Sequence, residues 1–253
     1  MKPMSNKLVL LRHGESQWNL ENRFTGWTDV GLTEKGQIEA QEAGQLLKQN
    51  QFKFDLVFTS YLKRSIDTSK LCLKELKSDD TIVHSTWRLN ERHYGNLQGL
   101  NKSETAEKYG DEQVLVWRRS YDTSPPPMDE NDDRHPSRDL LYNNIKQELL
   151  PSSESLRDTV KRVMPTIKDV LIPEIKNNKK IMIVAHGNSL RAIIKVLREI
   201  SDENIVTLNI PTGAPYVLEI GSNLKVIKDY YLGDIKKIQK KAKEVENQGR
   251  SSD

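Results

Sequence analysis

Three short apolar runs, each passing through polar residues into a helical pattern, organise the chain. Leu8-Val9-Leu10-Leu11 runs into Arg12-His13-Gly14. Leu56-Val57-Phe58-Thr59 runs into Ser60, then a helix with Leu62, Ile66, Ser69 and Leu73 on one side. Ile181-Met182-Ile183-Val184-Ala185 runs into His186-Gly187-Asn188, then a helix carrying Ile193, Ile194 and Leu197. Continuous rather than alternating apolar runs suit strands covered on both faces, as in a parallel sheet. Further helical patterns occupy Glu34–Gln49 and Glu154–Leu171, where Leu156, Val160, Val163 and Ile167 share one face. Pro165 is expected to bend the second of these. The pattern predicts an α/β fold: three layers, a mostly parallel open sheet with helices on both faces. Such sheets bind ligands beyond the carboxyl ends of their strands. Arg12-His13-Gly14, Ser60 to Arg64 and His186-Gly187-Asn188 all belong at that edge.

Length and composition narrow the picture. The 253 residues suit one large α/β domain or two small ones, and no repeat of the solenoid kind interrupts them. Lys and Arg number 39 against 36 for Asp and Glu, a net charge of +3. That balance disfavours a general nucleic-acid or membrane binder, so any electropositive patch must come from local clustering. A single cysteine, Cys72, precludes an intrachain disulfide and suits a reducing compartment. Met1 to Asn6 is short and polar, and Leu8 to Leu11 is too brief for a signal-peptide core or a membrane span, so a cytoplasmic location is expected. Two segments stand apart. Residues 122–139, with Pro125-Pro126-Pro127 before Met128-Asp129-Glu130-Asn131-Asp132-Asp133, read as a surface loop outside any core. Residues 236–253, Lys-rich and ending in polar residues, read as a solvated helix and mobile tail, or as a lid over the site.

A histidine at a strand's carboxyl end, followed by glycine, exposes its ring at the sheet edge while the backbone turns. Two such units, with Arg12 beside His13, point to one shared reactive centre. The surrounding residues carry a specific pattern. Leu11-Arg12-His13-Gly14-Glu15-Ser16, Trp18-Asn19 and Arg23-Phe24-Thr25-Gly26-Trp27 resemble the histidine phosphatase superfamily, in particular its phosphoglycerate mutase branch. The resemblance continues through Glu91-Arg92-His93-Tyr94-Gly95, Gln98-Gly99-Leu100-Asn101-Lys102, Tyr109-Gly110-Asp111 and Trp117-Arg118-Arg119-Ser120-Tyr121-Asp122. It closes with Ala185-His186-Gly187-Asn188-Ser189-Leu190-Arg191 and Ile210-Pro211-Thr212-Gly213, so it covers nearly the whole chain.

The resemblance implies a phosphoglycerate mutase-like fold and a residue-by-residue site. His13 is the implied nucleophile, because neutral imidazole attacks phosphorus well and passes the group onward readily. A hydrogen bond from its other ring nitrogen to a nearby carbonyl would fix the tautomer. Arg12 and Arg64 are the implied clamps, with the bidentate forks that lysine lacks. His186 matches the second histidine and is expected to be charged, donating to the same oxygens. Gly187 and Asn188 are expected to add donors at the following helix's start. Glu91 is the implied proton carrier for the substrate hydroxyl. Lys102, Arg118, Arg119, Arg92 and Tyr94 match positions that hold a carboxylate and a second phosphate. Ser16, Asn19, Thr25 and Gly26 match positions that meet phosphate oxygens. Opposite charges about 4 Å apart are worth roughly 4 kcal/mol at an effective dielectric near 20. Several such contacts would lower the barrier of a phosphoryl transfer substantially.

The implied reaction interconverts 3-phosphoglycerate and 2-phosphoglycerate through phospho-His13, with 2,3-bisphosphoglycerate as intermediate and primer, no metal, and a homodimer or homotetramer as the working form. A phosphatase or bisphosphoglycerate synthase of the same superfamily is the main alternative; Lys102 and Trp117-Arg118-Arg119 favour the mutase. A non-catalytic binding module is disfavoured because nucleophile, clamps, Glu91 and the second histidine are all present. Pro151 to Ser155 and Ala214 to Val217 are less typical of the branch, as is the tail.

Overall fold

The computed structural model describes residues 6–247. Its sheet has six strands: β1 (Asn6–Arg12), β2 (Leu56–Thr59), β3 (Ile82–Ser85), β4 (Ile181–Ala185), β5 (Tyr216–Ile220) and β6 (Val226–Tyr231). They lie in the order β3-β2-β4-β1-β5-β6. The first four pair in parallel, whereas β5 runs antiparallel to β1 and β6 antiparallel to β5. The fold is therefore the expected α/β sheet, mostly parallel.

Alternation along β1 sends Leu8 and Leu10 to one face and Val9 and Leu11 to the other, and all four are buried. On the second face lie α1 (Glu34–Gln49) and α2 (Lys63–Leu76), packing Ala43, Leu47, Cys72, Leu73 and Leu76 against Val9, Leu11, Val57, Met182 and Val184. Two short helices, α3 (Lys102–Tyr109) and α4 (Asp111–Arg119), stand above the carboxyl edge on a satellite core of Phe24, Leu97, Ala106 and Val114. Covering the first face are α5 (Leu156–Pro165) and α6 (Gly187–Leu197), with Val160, Val163, Leu190, Ile193 and Ile194 against Leu8, Leu10, Ile181 and Ile183. A last helix, α7 (Ile235–Asn247), follows the sheet.

Pro165 does not end its helix. Helical dihedrals continue through a π-helical stretch, Thr166–Leu171, into Ile172–Lys176. Widening the turns accommodates the ring and the missing N–H while Ile167, Leu171 and Ile175 still face the core. The segment 122–139 also departs from expectation. Its acidic side chains are mostly exposed, but Met128 and His135 are each 2% exposed and Pro125 is buried. Met128 N–H donates to the Ser152 carbonyl and Asn96 N–H to that of Pro126, so the loop is stitched to its neighbours. Of the 236–253 segment, residues up to 247 form the rest of α7, and 248–253 lie outside the described residues.

Candidate active site

Register decides where the reactive residues meet. Arg12 pairs with Ala185 across β1 and β4, and His13 N–H donates to the Ala185 carbonyl at 3.0 Å. The two strand-end histidines therefore emerge side by side, with ring centroids 4.9 Å apart. Gly14 is required just there, because a Cβ would lie 2.0 Å from the Gly36 carbonyl oxygen at the start of α1.

His13 is buried, and its Nδ1 lies 2.7 Å from the Gly14 carbonyl oxygen. A carbonyl only accepts, so Nδ1 carries the proton and Nε2 keeps its lone pair. Burial, then Arg64 and Arg12, hold the His13 pKa well below the ordinary histidine range, which keeps the ring neutral and nucleophilic. Arg12 donates through Nη1 to the Ile210 carbonyl at 2.7 Å. Arg64 is fixed by the carbonyls of Gly26 and Thr28, at 2.8 and 2.9 Å, and burial lowers its pKa to about 10. Gly26 itself has φ of +53°, and a Cβ there would strike Gln98 Oε1.

His186, expected to be charged while donating to phosphoryl oxygens, has surroundings in the protein alone that oppose that charge. Burial foremost, then Arg64, His13 and Arg12, hold its pKa well below the usual value, so the ring is neutral in the protein alone rather than charged. Its Nε2 contacts Ser60 Oγ at 2.8 Å, and its buried Nδ1 has no hydrogen-bond partner. Glu91 Oε1 accepts from the backbone N–H groups of Arg92 and Asn188, at 2.7 and 3.0 Å. Behind it, Trp27 Nε1 and Arg162 both donate to the Glu91 carbonyl, and Arg162 forms a buried pair with Glu154 at 2.6 Å.

Besides these, Asn19, Thr25, Tyr94, Lys102, Arg118, Arg119, Gly187 and Asn188 line the same cavity. Three expected residues stand behind its wall. Ser16 closes a capping box with Asn19 at the helix Gln17–Leu20, which uses up its hydroxyl. Arg92 is fully buried, stacks 4.5 Å from the Tyr94 ring and donates to the Arg118 carbonyl, so it braces two cavity residues. His186 lies beneath His13. Sequence reasoning missed Arg23, Arg191 and Asn209, which also line the cavity. Arg191 donates to Asn188 Oδ1 at 2.9 Å, and the signal was available: it sits three residues after Asn188 on α6, one turn along the same face.

The electrostatics are lopsided. Arg12, Arg23, Arg64, Lys102, Arg118, Arg119 and Arg191 line the cavity, and Glu91 is its one carboxylate among the described residues. Burial leads in lowering Lys102, well below its usual range, and in bringing Arg118 to about 10 and Arg191 to about 9. Over the mouth lies α7, whose Val245 carbonyl accepts from Arg118 and Arg119 at 3.3 and 3.2 Å, while Lys241 pairs with Glu39 at 2.8 Å. The described part of the tail thus packs on the site.

The sequence pattern of the histidine phosphatase superfamily (branch 1) matches residues 8–135 and 127–232. The chain belongs to this superfamily. Among its relatives are two named 2,3-bisphosphoglycerate-dependent phosphoglycerate mutase. One, from Parabacteroides distasonis, is 56% identical over 96% of this chain and 98% of its own; the other, from Bacteroides fragilis, is 57% identical over the same shares. Solved histidine phosphatases share the fold: a mycobacterial glucosyl-3-phosphoglycerate phosphatase superposes with a TM-score of 0.68 at 22% identity, covering 89% of this chain and 97% of that one. A putative alpha-ribazole-5'-P phosphatase from Escherichia coli gives 0.65 at 22%, covering 91% and 97%.

Proposed function

We propose that this histidine phosphatase interconverts 3-phosphoglycerate and 2-phosphoglycerate through a phosphohistidine at His13. The observation that carries the reading is the bare Nε2 of neutral His13, fixed by the Nδ1–H to Gly14 bond, inside a cation-lined cavity. The relatives' shared name supports it at 54–57% identity over nearly the whole chain. The donor set also fits a three-carbon acid with anionic groups at both ends: among the lining residues, buried Arg12 Nε and Arg191 Nε have no protein acceptor.

His13 Nε2 takes the phosphoryl group and Arg12 and Arg64 spread its developing charge, helped by the Gly187 N–H and by His186. 2,3-Bisphosphoglycerate supplies the group that primes the enzyme. Lys102, Arg118 and Arg119 hold the substrate's carboxylate and distal phosphate, with Arg92 and Tyr94 aligning them and Ser16 fixing Asn19. As the substrate hydroxyl attacks phosphorus and the bond to Nε2 breaks, Glu91 accepts the hydroxyl proton through the oxygen its backbone donors leave unused. After the bisphosphate turns over in the cavity, the other phosphoryl group returns to Nε2 and Glu91 gives the proton back to the departing oxygen. Charge and protons balance at each half-reaction.

Incubation with 2,3-bisphosphoglycerate followed by intact mass spectrometry tests this. One acid-labile phosphoryl group mapping to His13 is expected; a label elsewhere, or none with mutase turnover intact, overturns it. We propose further that the whole chain works as one domain, because β1 from one end of the sequence is inserted between β4 and β5 from the other. The homodimer is supported by β3, an edge strand whose Ile82 and Val83 are 59% and 40% exposed. A monomeric mass in solution scattering would overturn it. A cytoplasmic setting suits the buried, unpaired thiol of Cys72.

A further inference from the structure

Beneath the cavity, His186 sits on a chain of buried hydroxyls. Its Nε2 is 2.8 Å from Ser60 Oγ, which is 2.6 Å from Ser65 Oγ. Ser65 Oγ is also 2.9 Å from the Leu62 carbonyl oxygen and 3.1 Å from Thr59 Oγ1, and Leu62 N–H meets Ser60 Oγ at 3.0 Å. Thr59, Ser60, Ser65 and His186 are all fully buried, so no bulk water intervenes.

A hydroxyl has one proton and two lone pairs. The Leu62 carbonyl can only accept; it already receives Ser65 N–H and Ile66 N–H, and a Ser65 proton directed there adds one more bond. Ser65 then accepts from both Thr59 and Ser60. That commits the Ser60 proton to Ser65, and its two lone pairs receive Leu62 N–H and a proton from His186. This assignment makes all five bonds of the cluster. Turning the Ser60 proton towards His186 instead either leaves two oxygen lone pairs facing each other at 2.6 Å or, if the Ser65 proton turns to Ser60 as well, forfeits the Ser65–Leu62 bond, a loss in a buried cluster.

We propose that the Thr59–Ser65–Ser60 hydroxyl chain holds His186 as its Nε2–H tautomer and so reserves Nδ1, the ring nitrogen without a protein partner, as the atom that takes a proton when a phosphoryl anion arrives. Ser60 and Ser65 are positioning residues acting through His186. In this tautomer the neutral ring offers the anion a lone pair, so it becomes a donor only by charging. The groups that face it are Arg64, His13, Arg12 and Arg162, and they oppose that charge in the protein alone. A bound phosphoryl dianion reverses the balance. His186 thereby ties occupancy of the cavity to uptake of one proton. The role of Nδ1 rests on the function proposed above, but the tautomer is measurable without turnover.

Imidazole nitrogen NMR on the full chain, labelled at histidine, reads the tautomer directly. In the wild type at neutral pH, His186 should show a protonated Nε2 and a bare Nδ1, and saturating inorganic phosphate should protonate both. Ser65→Ala frees the Ser60 proton to turn towards Nε2, so the ring should invert to Nδ1–H. The fold is spared because Leu62's carbonyl keeps the Ser65 and Ile66 backbone donors at 3.0 and 3.2 Å. Thr59→Val, which leaves the Ser60–Ser65 bond in place, should not invert it. In Ser65→Ala, kcat should fall about tenfold with KM within twofold, as a charge-assisted bond becomes a neutral one. An Nδ1–H ring in the wild type, or an unmoved tautomer in Ser65→Ala, overturns the inference. Absence of phosphohistidine in the wild type would instead overturn the proposed function and leave the tautomer result standing.

Discussion

The two strand ends carry the same local sequence, strand-His-Gly, and treat their histidines differently. At the end of β1, Nδ1 of His13 is pinned by a backbone carbonyl, an acceptor that cannot reverse. At the end of β4, Nε2 of His186 is pinned by a hydroxyl, whose direction depends on its own neighbours. One ring therefore presents a permanent lone pair to the cavity, suited to bond formation. The other is held by a partner that tolerates both tautomers in principle, suited to gaining and losing charge. On the proposed reading, what separates nucleophile from helper is the chemistry of the acceptor behind the ring, with burial and two arginines common to both.

The largest expected effect breaks the pair apart. His13→Ala removes the atom proposed to bond phosphorus, so isomerisation should fall by roughly 10⁴-fold or more, with no phosphohistidine formed. His186→Ala removes the ring proposed to charge and donate to the phosphoryl group, and should cost roughly 10²–10³-fold while phosphohistidine still accumulates. Rates and intact masses measured on both variants decide it. Equal losses, with the label absent from both, would mean that the two rings are not functionally distinct.

This asymmetry was half legible in the sequence. The continuous apolar runs gave β1, β2 and β4, and the repeated histidine after a strand marked the cavity. β3 escaped because Ile82–Ser85 is short and exposed on a sheet edge, where no buried run is needed. β5 and β6 escaped because an antiparallel addition leaves no helix crossover as a signpost. In the site, matching motifs brought Ser16 and Arg92 to the cavity wall, but side-chain direction is settled by hydrogen bonds to Asn19 and the Arg118 carbonyl, which spacing does not encode. The sequence also could not show that His186, a ring expected to be charged against an anion, is buried among cations before the anion arrives. Arg162 and Glu154 lie far from Glu91 in sequence: Arg162 meets the Glu91 backbone carbonyl, while Glu154 holds Arg162 and the His93 N–H.

A medium effect sharpens the comparison through stability. Both site histidines have folded pKa values below the unfolded value near 6.5. Between those limits the unfolded chain binds more protons than the folded one. Stability is then fully present above about pH 6.5 and is lost as pH falls, by about 1.4 kcal/mol per pH unit for each histidine. His93, pushed down to about 3 chiefly by burial, adds the same slope but lies outside the cavity. Urea denaturation between pH 6.5 and 5 should show this loss, and saturating inorganic phosphate should flatten the part due to His13 and His186 alone. A slope unchanged by phosphate would show that neither ring senses the anion.

The smallest effect concerns what braces the two ends. The turn after His13 has supports from outside its own segment: Gly14 N–H donates to Thr68 Oγ1 at 3.1 Å, and Glu15 N–H to Glu39 Oε2 at 2.9 Å. Glu39 is held in turn by Lys241 of α7 at 2.8 Å, so the helix over the mouth and the nucleophile's turn share one carboxylate. The turn after His186 is braced by Ser189 and Glu91, with no link to α7 in these bonds. Lys241 is a third exposed, so its pair is screened and modest. Lys241→Ala should therefore loosen α7, raising KM by roughly two- to fivefold, with kcat and phosphorylation of His13 changed less than about twofold. A kcat loss as large as that of Ser65→Ala would mean that α7 sets the position of His13 itself, and the rigid carbonyl anchor would no longer suffice to explain why that ring, and not its neighbour, becomes phosphorylated.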